Sequence, residues 1–259
     1  MPTVSARWLI LHSAVSWAVY EELLPTNPLH GMKGPPRPTP RLHHTLDEVR
    51  RLLRTARSHL AAAELAVHAS PERAKPVLEL FAAEQTLLLV RLVADSGARR
   101  GELAGLRRSD LNGRVLIIER SVSAGVLGPT KSKRSRRLTI GQTTTAMIDR
   151  HFETWADRAG TPTADWISAS RPDRSTFMTA DALSHRFRRL GQAAGVDRPA
   201  LHRMRHGVAT YLVGNGKLLK AQARLGHHDP ATTLRHYSHA TPLDDQDIAD
   251  DLDTLLNRD

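Results

Sequence analysis

The sequence predicts a mainly α-helical fold with a small antiparallel β-sheet, an α+β arrangement. Apolar residues recur at three- and four-residue steps over most of the chain, as one face of a helix requires. β-branched residues are concentrated between about 114 and 140, beside turn signals. With 259 residues, 40% of them hydrophobic and 25% charged, the chain is long enough for one large domain or one domain plus a small appendage. No internal repeat is visible.

Residues near 5 to 24 read as a first helix, because Trp8, Leu11, Val15, Ala18 and Val19 fall on one face. Pro25, Pro28, Gly31, Gly34, Pro35, Pro36, Pro38 and Pro40 then mark a linker, since proline fixes φ and removes a backbone donor. Thr45-Leu-Asp-Glu48 fits a capping box opening a second helix that runs to about Ala69. After Pro71, a very apolar helix is expected from about Pro76 to Ser96, with Leu78, Leu88 and Leu92 as core candidates. A short helix follows from Arg99 to Leu106. Asn112-Gly113 signals a turn, and Arg114 to Ser121 reads as a strand. Gly125 to Pro129 reads as a loop and Arg136 to Ile140 as the returning strand. Helices are expected at about 143–158, 179–194, 202–214 and 217–225, with a short one near 230–237 and a last one from Asp244 to Leu256.

Charge narrows the partner. The chain holds 37 Lys and Arg against 27 Asp and Glu, a net of +10. Asp244 to Asp259 contains seven Asp and one Arg, so the remainder is more basic still. Such a body favours a polyanion, most commonly nucleic acid. The absence of cysteine excludes a disulfide framework and a thiolate metal site. The most apolar N-terminal stretch, Trp8 to Tyr20, is too short to span a bilayer and carries no cleavage pattern, so a soluble cytoplasmic protein without membrane association is expected.

Several residue groups carry chemistry. His202-Arg203-Met204-Arg205 places an imidazole and a guanidinium three apart on one helix face, suited to holding a phosphate and moving a proton beside it. Upstream lies Gly97-Ala98-Arg99-Arg100-Gly101-Glu102-Leu103, and between the two Thr130-Lys131-Ser132-Lys133-Arg134-Ser135-Arg136-Arg137 in a hairpin. Downstream, His227 precedes Tyr237 by ten residues. His202 and His206 are also spaced i, i+4, but no carboxylate or cysteine completes a metal set, so neither metal nor cofactor is expected.

The order Arg, Lys, H-x-x-R, His, Tyr resembles the active-site set of the tyrosine recombinases, the phage integrase type, and the resemblance covers nearly the whole chain. It implies the catalytic-domain fold of these DNA breaking-rejoining enzymes over 45–259, a linker at 29–44, and the last helix of a helical DNA-clamping domain at 1–28. It implies Tyr237 as nucleophile, Arg99 and Arg205 on the phosphate, His202 as acid/base, His227 as a donor to the scissile phosphate, and Lys131 as general acid, with Lys133 as its rival. Glu102 would orient His202 or the arginine. Lys133, Arg134, Arg136, Arg186, Arg189 and Arg203 are nominated as DNA contacts, and double-stranded DNA is the expected partner.

Two local departures stand out: Arg203 where Asp is frequent in the family, and Gly207 where Thr is common. A third is the single helix at the start, from which weak, salt-sensitive binding and poor recombination by this chain alone are expected. An apolar stripe of Ile248, Leu252, Leu255 and Leu256 on the acidic last helix suits docking on a neighbouring subunit of a homotetramer, or on its own domain. A type IB topoisomerase and an inactive remnant that only binds DNA remain as alternative readings.

Overall fold

The computed structural model describes residues 4–35, 43–130, 135–159 and 164–226. The chain divides into two compact units, Met1–Arg41 and Leu42–Asp259.

The first unit contains α1 (Val4–Tyr20). Past its end, Asn27 Nδ2 donates to Ser16 Oγ at 3.3 Å and Asn27 Oδ1 accepts from Leu29 N at 2.8 Å, so the chain turns back along the helix. A Cβ on Gly34 would lie 2.8 Å from Trp8 Nε1, so this return depends on a residue without a side chain.

The second unit is built on a helical hairpin, α2 (Leu46–Ala69) and α3 (Ala74–Ser96). The capping box forms: Thr45 Oγ1 accepts from Glu48 N at 3.2 Å, and Glu48 Oε2 accepts from Thr45 N at 2.8 Å. α3 begins two residues earlier than the sequence signals indicate, because Pro76 occupies the first turn, where a missing N–H breaks no helical bond. α3 is the central helix. Leu88 and Leu92 are buried with Leu87, Leu89, Val90 and Val93, whereas Leu78 is exposed, because Leu80 and Phe81 take the inward face at that end.

Next come α4 (Arg100–Ala104), a 3₁₀ turn (Arg108–Asp110), and five short strands: β1 (Leu111–Asn112), β2 (Val115–Ile118), β3 (Arg120–Ser123), β4 (Val126–Pro129) and β5 (Arg136–Thr139). A three-stranded antiparallel sheet has the order β1-β2-β5, with Leu116 opposite Leu138 and Ile118 opposite Arg136. β3 and β4 form a separate hairpin. The expected single strand over 114–121 is therefore two, and the expected loop at 125–129 is largely a strand. Gly128 and Pro129 disguise β4, but in a two-stranded ribbon a proline can occupy an edge. The turn joining β3 to β4 is Ala124-Gly125, with φ of 48° and 79°, the left-handed pair that matches strand twist.

The helices α5 (Gln142–Ala159), α6 (Ala180–Ala193), α7 (Leu201–Gly214) and α8 (Leu218–Leu225) complete the unit, close to their expected bounds. α5 packs on α3 through a polar cluster: Glu84 Oε2 lies 2.7 Å from His151 Nδ1 and accepts from Trp155 Nε1 at 2.5 Å. Arg174 is fully buried beside it. Its Nη1 donates to Trp166 O at 2.8 Å, and its guanidinium lies 3.7 Å from the Phe152 ring centroid. Burial brings its pKa down to about 10, against the raising effect of Glu84 and Asp165.

α6 and the turn leading to α7 meet at Gly191, where an added Cβ would lie 2.1 Å from Pro199 Cβ and 2.5 Å from Pro199 Cγ. The proline ring cannot rotate away, so Gly191→Ala is expected to displace the backbone and destabilise the protein by about 1–3 kcal/mol. Urea unfolding measures this; an unchanged midpoint would show that α6 does not need this contact.

Candidate active site

The end of α3 and the start of α4 place Arg99. Ser96 Oγ accepts from Ala98 N at 3.1 Å, and Gly97 ends the helix in the left-handed region, φ 62°. Gly97 is constrained twice, because a Cβ there would also come within 2.8 Å of Leu225 Cδ2. Arg99 then caps α4 with its side chain about one-third exposed.

Glu102, 1% exposed, holds this corner. Its Oε1 accepts from Arg99 Nη1 at 2.9 Å and its Oε2 from Arg99 N at 2.8 Å. Arg136 closes a two-pronged pair on the same carboxylate, Nη1 to Oε1 at 3.0 Å and Nη2 to Oε2 at 2.6 Å. Burial alone pushes this carboxyl up. The bonds and charge of Arg136, followed by those of Arg99, outweigh burial and bring it down to about 2.

The α7–α8 pair is tied to the same corner. Arg205, 3% exposed, donates from Nη1 to Gly97 O at 2.5 Å and from Nη2 to Leu225 O at 2.6 Å. Arg136 Nε donates to Arg224 O at 3.0 Å. Arg224 in turn donates to Asp95 O, Asp95 Oδ1 and Thr139 O at 2.6–3.1 Å. Asp95 Oδ2 accepts from Gly141 N at 2.6 Å and Thr144 Oγ1 at 2.8 Å. α8 ends at Gly226, in the left-handed region with φ 64°, immediately before His227.

His202 is exposed one turn ahead of Arg205, and its Nε2 lies 2.8 Å from Nε2 of the buried His206. One ring must donate to the other across that contact. Arg203 points elsewhere: its Nη1 donates to Asp197 O at 2.5 Å and Arg198 O at 2.8 Å.

Of the residues nominated from sequence, Arg99, Glu102 and Arg205 are brought into one bonded corner, and His202 shares the helix of Arg205. Arg136, nominated as a DNA contact, is mostly buried and bonded to Glu102 and to Arg224 O. Arg186 and Arg189 line a different groove, between α2, α3 and α6. Lys131, Lys133, Arg134, His227 and Tyr237, and the expected helices at 230–237 and 244–256, lie outside the described residues.

Three participants were missed. Arg224 and Asp95 carry no motif; their only signal is a charge in an otherwise helical pattern. His44 ends the linker, is 2% exposed, and accepts from Ala200 N through Nε2 at 3.2 Å, so its Nδ1 proton faces Glu48 Oε2 at 3.3 Å. Burial, with the Arg203 charge, lowers its pKa, and Glu48 opposes both. His44 also explains Gly207: a Cβ there would meet His44 O at 2.6 Å, so a threonine does not fit unless this segment moves. Among the described residues no cluster of three metal-ligating side chains occurs, and no helix is long and apolar enough to cross a membrane.

Comparison with known proteins identifies the family and the fold. The family model described as "Phage integrase family" matches residues 46–243. Tyrosine recombinase XerD of Listeria monocytogenes is 25% identical over 164 residues, 62% of this chain and 52% of the relative. XerD of Halalkalibacterium halodurans is 27% identical over 163 residues, 62% and 51%. The chain thus spans about half the length of these relatives. Among solved structures, the Tn1549 transposon integrase in complex with a circular intermediate DNA shares the fold at a TM-score of 0.64 and 18% identity, covering 95% of this chain and 76% of that one. The XerA recombinase does so at 0.56 and 19%, covering 96% and 76%.

The Glu102 cluster sets a pH dependence. With a folded pKa near 2 against an ordinary 4.5, Glu102 contributes stability that is complete above about pH 4.5 and lost as pH falls toward 2. The contribution is of order 3 kcal/mol. Glu102→Gln is expected to lose about 3–5 kcal/mol at pH 7, because Arg136 keeps its charge without its partner. It is also expected to flatten the acid limb of stability measured by denaturant titration between pH 2 and 5. An unchanged acid limb in the variant would assign that limb to other carboxylates.

Proposed function

This chain belongs to the phage integrase family, and on that premise we propose that it cuts and rejoins DNA through a covalent tyrosyl intermediate. The Tyr237 hydroxyl attacks a phosphodiester, forming a 3′-phosphotyrosyl bond and releasing a 5′-hydroxyl. The ester keeps the bond energy, so the reverse attack by a 5′-hydroxyl needs no ATP, and none of the steps calls for a metal. Catalysis then rests on positioning and on stabilising charge at the phosphate oxygens.

The observation that carries this reading is the bridge made by Arg205 between Gly97 O and Leu225 O. It joins the loop bearing Arg99 to the segment leading into His227, so two guanidinium groups and the approach to the downstream histidine belong to one unit. The Arg99 guanidinium is about one-third exposed at the start of α4, and a guanidinium can donate parallel hydrogen bonds to a phosphate. Lys131 or Lys133 protonates the leaving 5′-oxygen, His202 moves the tyrosine proton, and His227 donates to the scissile phosphate. A cationic site would favour the ionised form of Tyr237, a side chain whose unperturbed pKa is ~10.

Duplex DNA is the proposed substrate, and α1 is proposed as the last helix of a clamping domain. The acidic segment from Asp244 is proposed to dock, through Ile248, Leu252, Leu255 and Leu256, on a neighbouring copy in a tetramer assembled on DNA. An apolar cavity of about 340 Å³ between α2, α3 and α7, lined by Leu46, Val49, Met204, Val208 and Leu212, supports that mode.

Trapping on nicked suicide duplexes tests the chemistry. Tyr237→Phe is expected to abolish the adduct while DNA affinity stays within about twofold, and EDTA is expected to leave it unchanged. Arg99→Ala is expected to slow adduct formation by about 10²–10³-fold. An adduct that survives Tyr237→Phe rules out the assigned nucleophile, and binding without any adduct reduces the function to DNA binding.

A further inference from the structure

Away from the candidate active site, α2, α3 and α6 line an open groove of about 470 Å³, enough for a small ligand. Alanines of α2 and α3 leave the space open. Polar groups enter it from three sides: His59 from α2, Glu79 and Thr86 from α3, and Arg186 and Arg189 from α6. Thr86 precedes Gly97 by eleven residues, roughly 16 Å along the helix at 1.5 Å per residue.

Arg186 differs from the buried arginines that hold the fold together. Buried Arg136 is bonded to a carboxylate, Arg205 to two carbonyls, and Arg174 to a carbonyl and a ring. Arg186 Nη1 is buried without a hydrogen-bond partner among the described residues. Three residues on, Arg189 adds a like charge on the same face. Burial, then Arg189, brings the Arg186 pKa down to about 10. The acidic residue of the groove, Glu79, is 3.9 Å from Lys75 instead. Arg186 as a whole is partly exposed, but leaving its buried Nη1 without a partner is costly, and an anion seated beside it removes that cost.

We propose that this groove binds a phosphate ester, held by Arg186 and Arg189 with its apolar or planar body against the alanine walls. Two guanidinium groups suit a phosphate because each can donate parallel hydrogen bonds to it. The ester is either a free mononucleotide-sized molecule or a phosphodiester of bound DNA. The site does not depend on whether Tyr237 cleaves DNA.

The test uses the full chain, with inorganic phosphate and adenosine monophosphate as probes against chloride at matched ionic strength. Both are expected to raise the melting temperature saturably, the nucleotide at lower concentration. Arg186→Met is expected to weaken both by about tenfold or more, as loss of a charge-assisted contact implies. It should not lower the melting temperature in phosphate-free buffer, because an apolar side chain replaces an unpaired cation. Glu79→Gln should retain the phosphate response. Competition between a short duplex and the nucleotide, lost in Arg186→Met, assigns the phosphate to the DNA backbone; no competition assigns it to a free ester. The proposal is overturned if neither probe shifts the melting temperature, or if the shift survives Arg186→Met. Equal destabilisation by Arg186→Met and Glu79→Gln without a phosphate response also overturns it, because Glu79 is then the partner.

Discussion

Glu102 is a carboxylate removed from water and held ionised by two arginines, and the placement of the surrounding elements depends on that arrangement. Ionising a buried acid is unfavourable unless cations and N–H groups replace its hydration. Here Arg99 comes from the start of α4 and Arg136 from β5, 34 residues beyond Glu102, so one anion fixes a helix start against a sheet edge. Arg136 extends the constraint through Nε to Arg224 O, at the end of α8. The cluster carries two positive charges for one negative, which leaves the corner suited to an incoming anion.

Backbone geometry makes that corner possible. Gly97 permits both the turn out of α3 and the close approach of Leu225, while Arg205 donates across the same gap to the carbonyls on either side. Arg205 is thus a brace as well as a proposed phosphate ligand. Removing it would disturb the docking of α8 together with any chemistry, whereas Arg99, partly exposed and at a helix start, makes no bond to α8 among the described residues and perturbs the corner only through Glu102.

Arginine serves different purposes according to its surroundings. Arg136 and Arg224 join elements, Arg174 fills a core position over Phe152, and Arg203 caps the turn before α7 through carbonyls. Arg186 does none of these: its Nη1 is buried without a hydrogen-bond partner among the described residues, beside an open groove. The overall basicity that points to a polyanion is therefore partly structural charge, and only the remainder is available to a ligand.

The sequence by itself determined the helices and the order of the chemistry-bearing residues. Helical period, the Thr45–Glu48 capping box and the glycines at helix ends act within a few residues, so α2, α3 and α5 to α8 were legible to within a few residues. Arg99, His202 and Arg205 were nominated from local context and spacing, which again needs no distant partner. Only the tertiary structure decided that Leu78 faces solvent, that Val126–Pro129 pairs as a strand, and that Arg136 is a structural partner of Glu102. It alone brought His44 against Gly207 and Arg224 against Asp95, 129 residues apart. The reason is physical: a local pattern fixes which face of a helix is apolar. Which of many arginines is buried, and on what, depends on elements that meet only after the chain has folded.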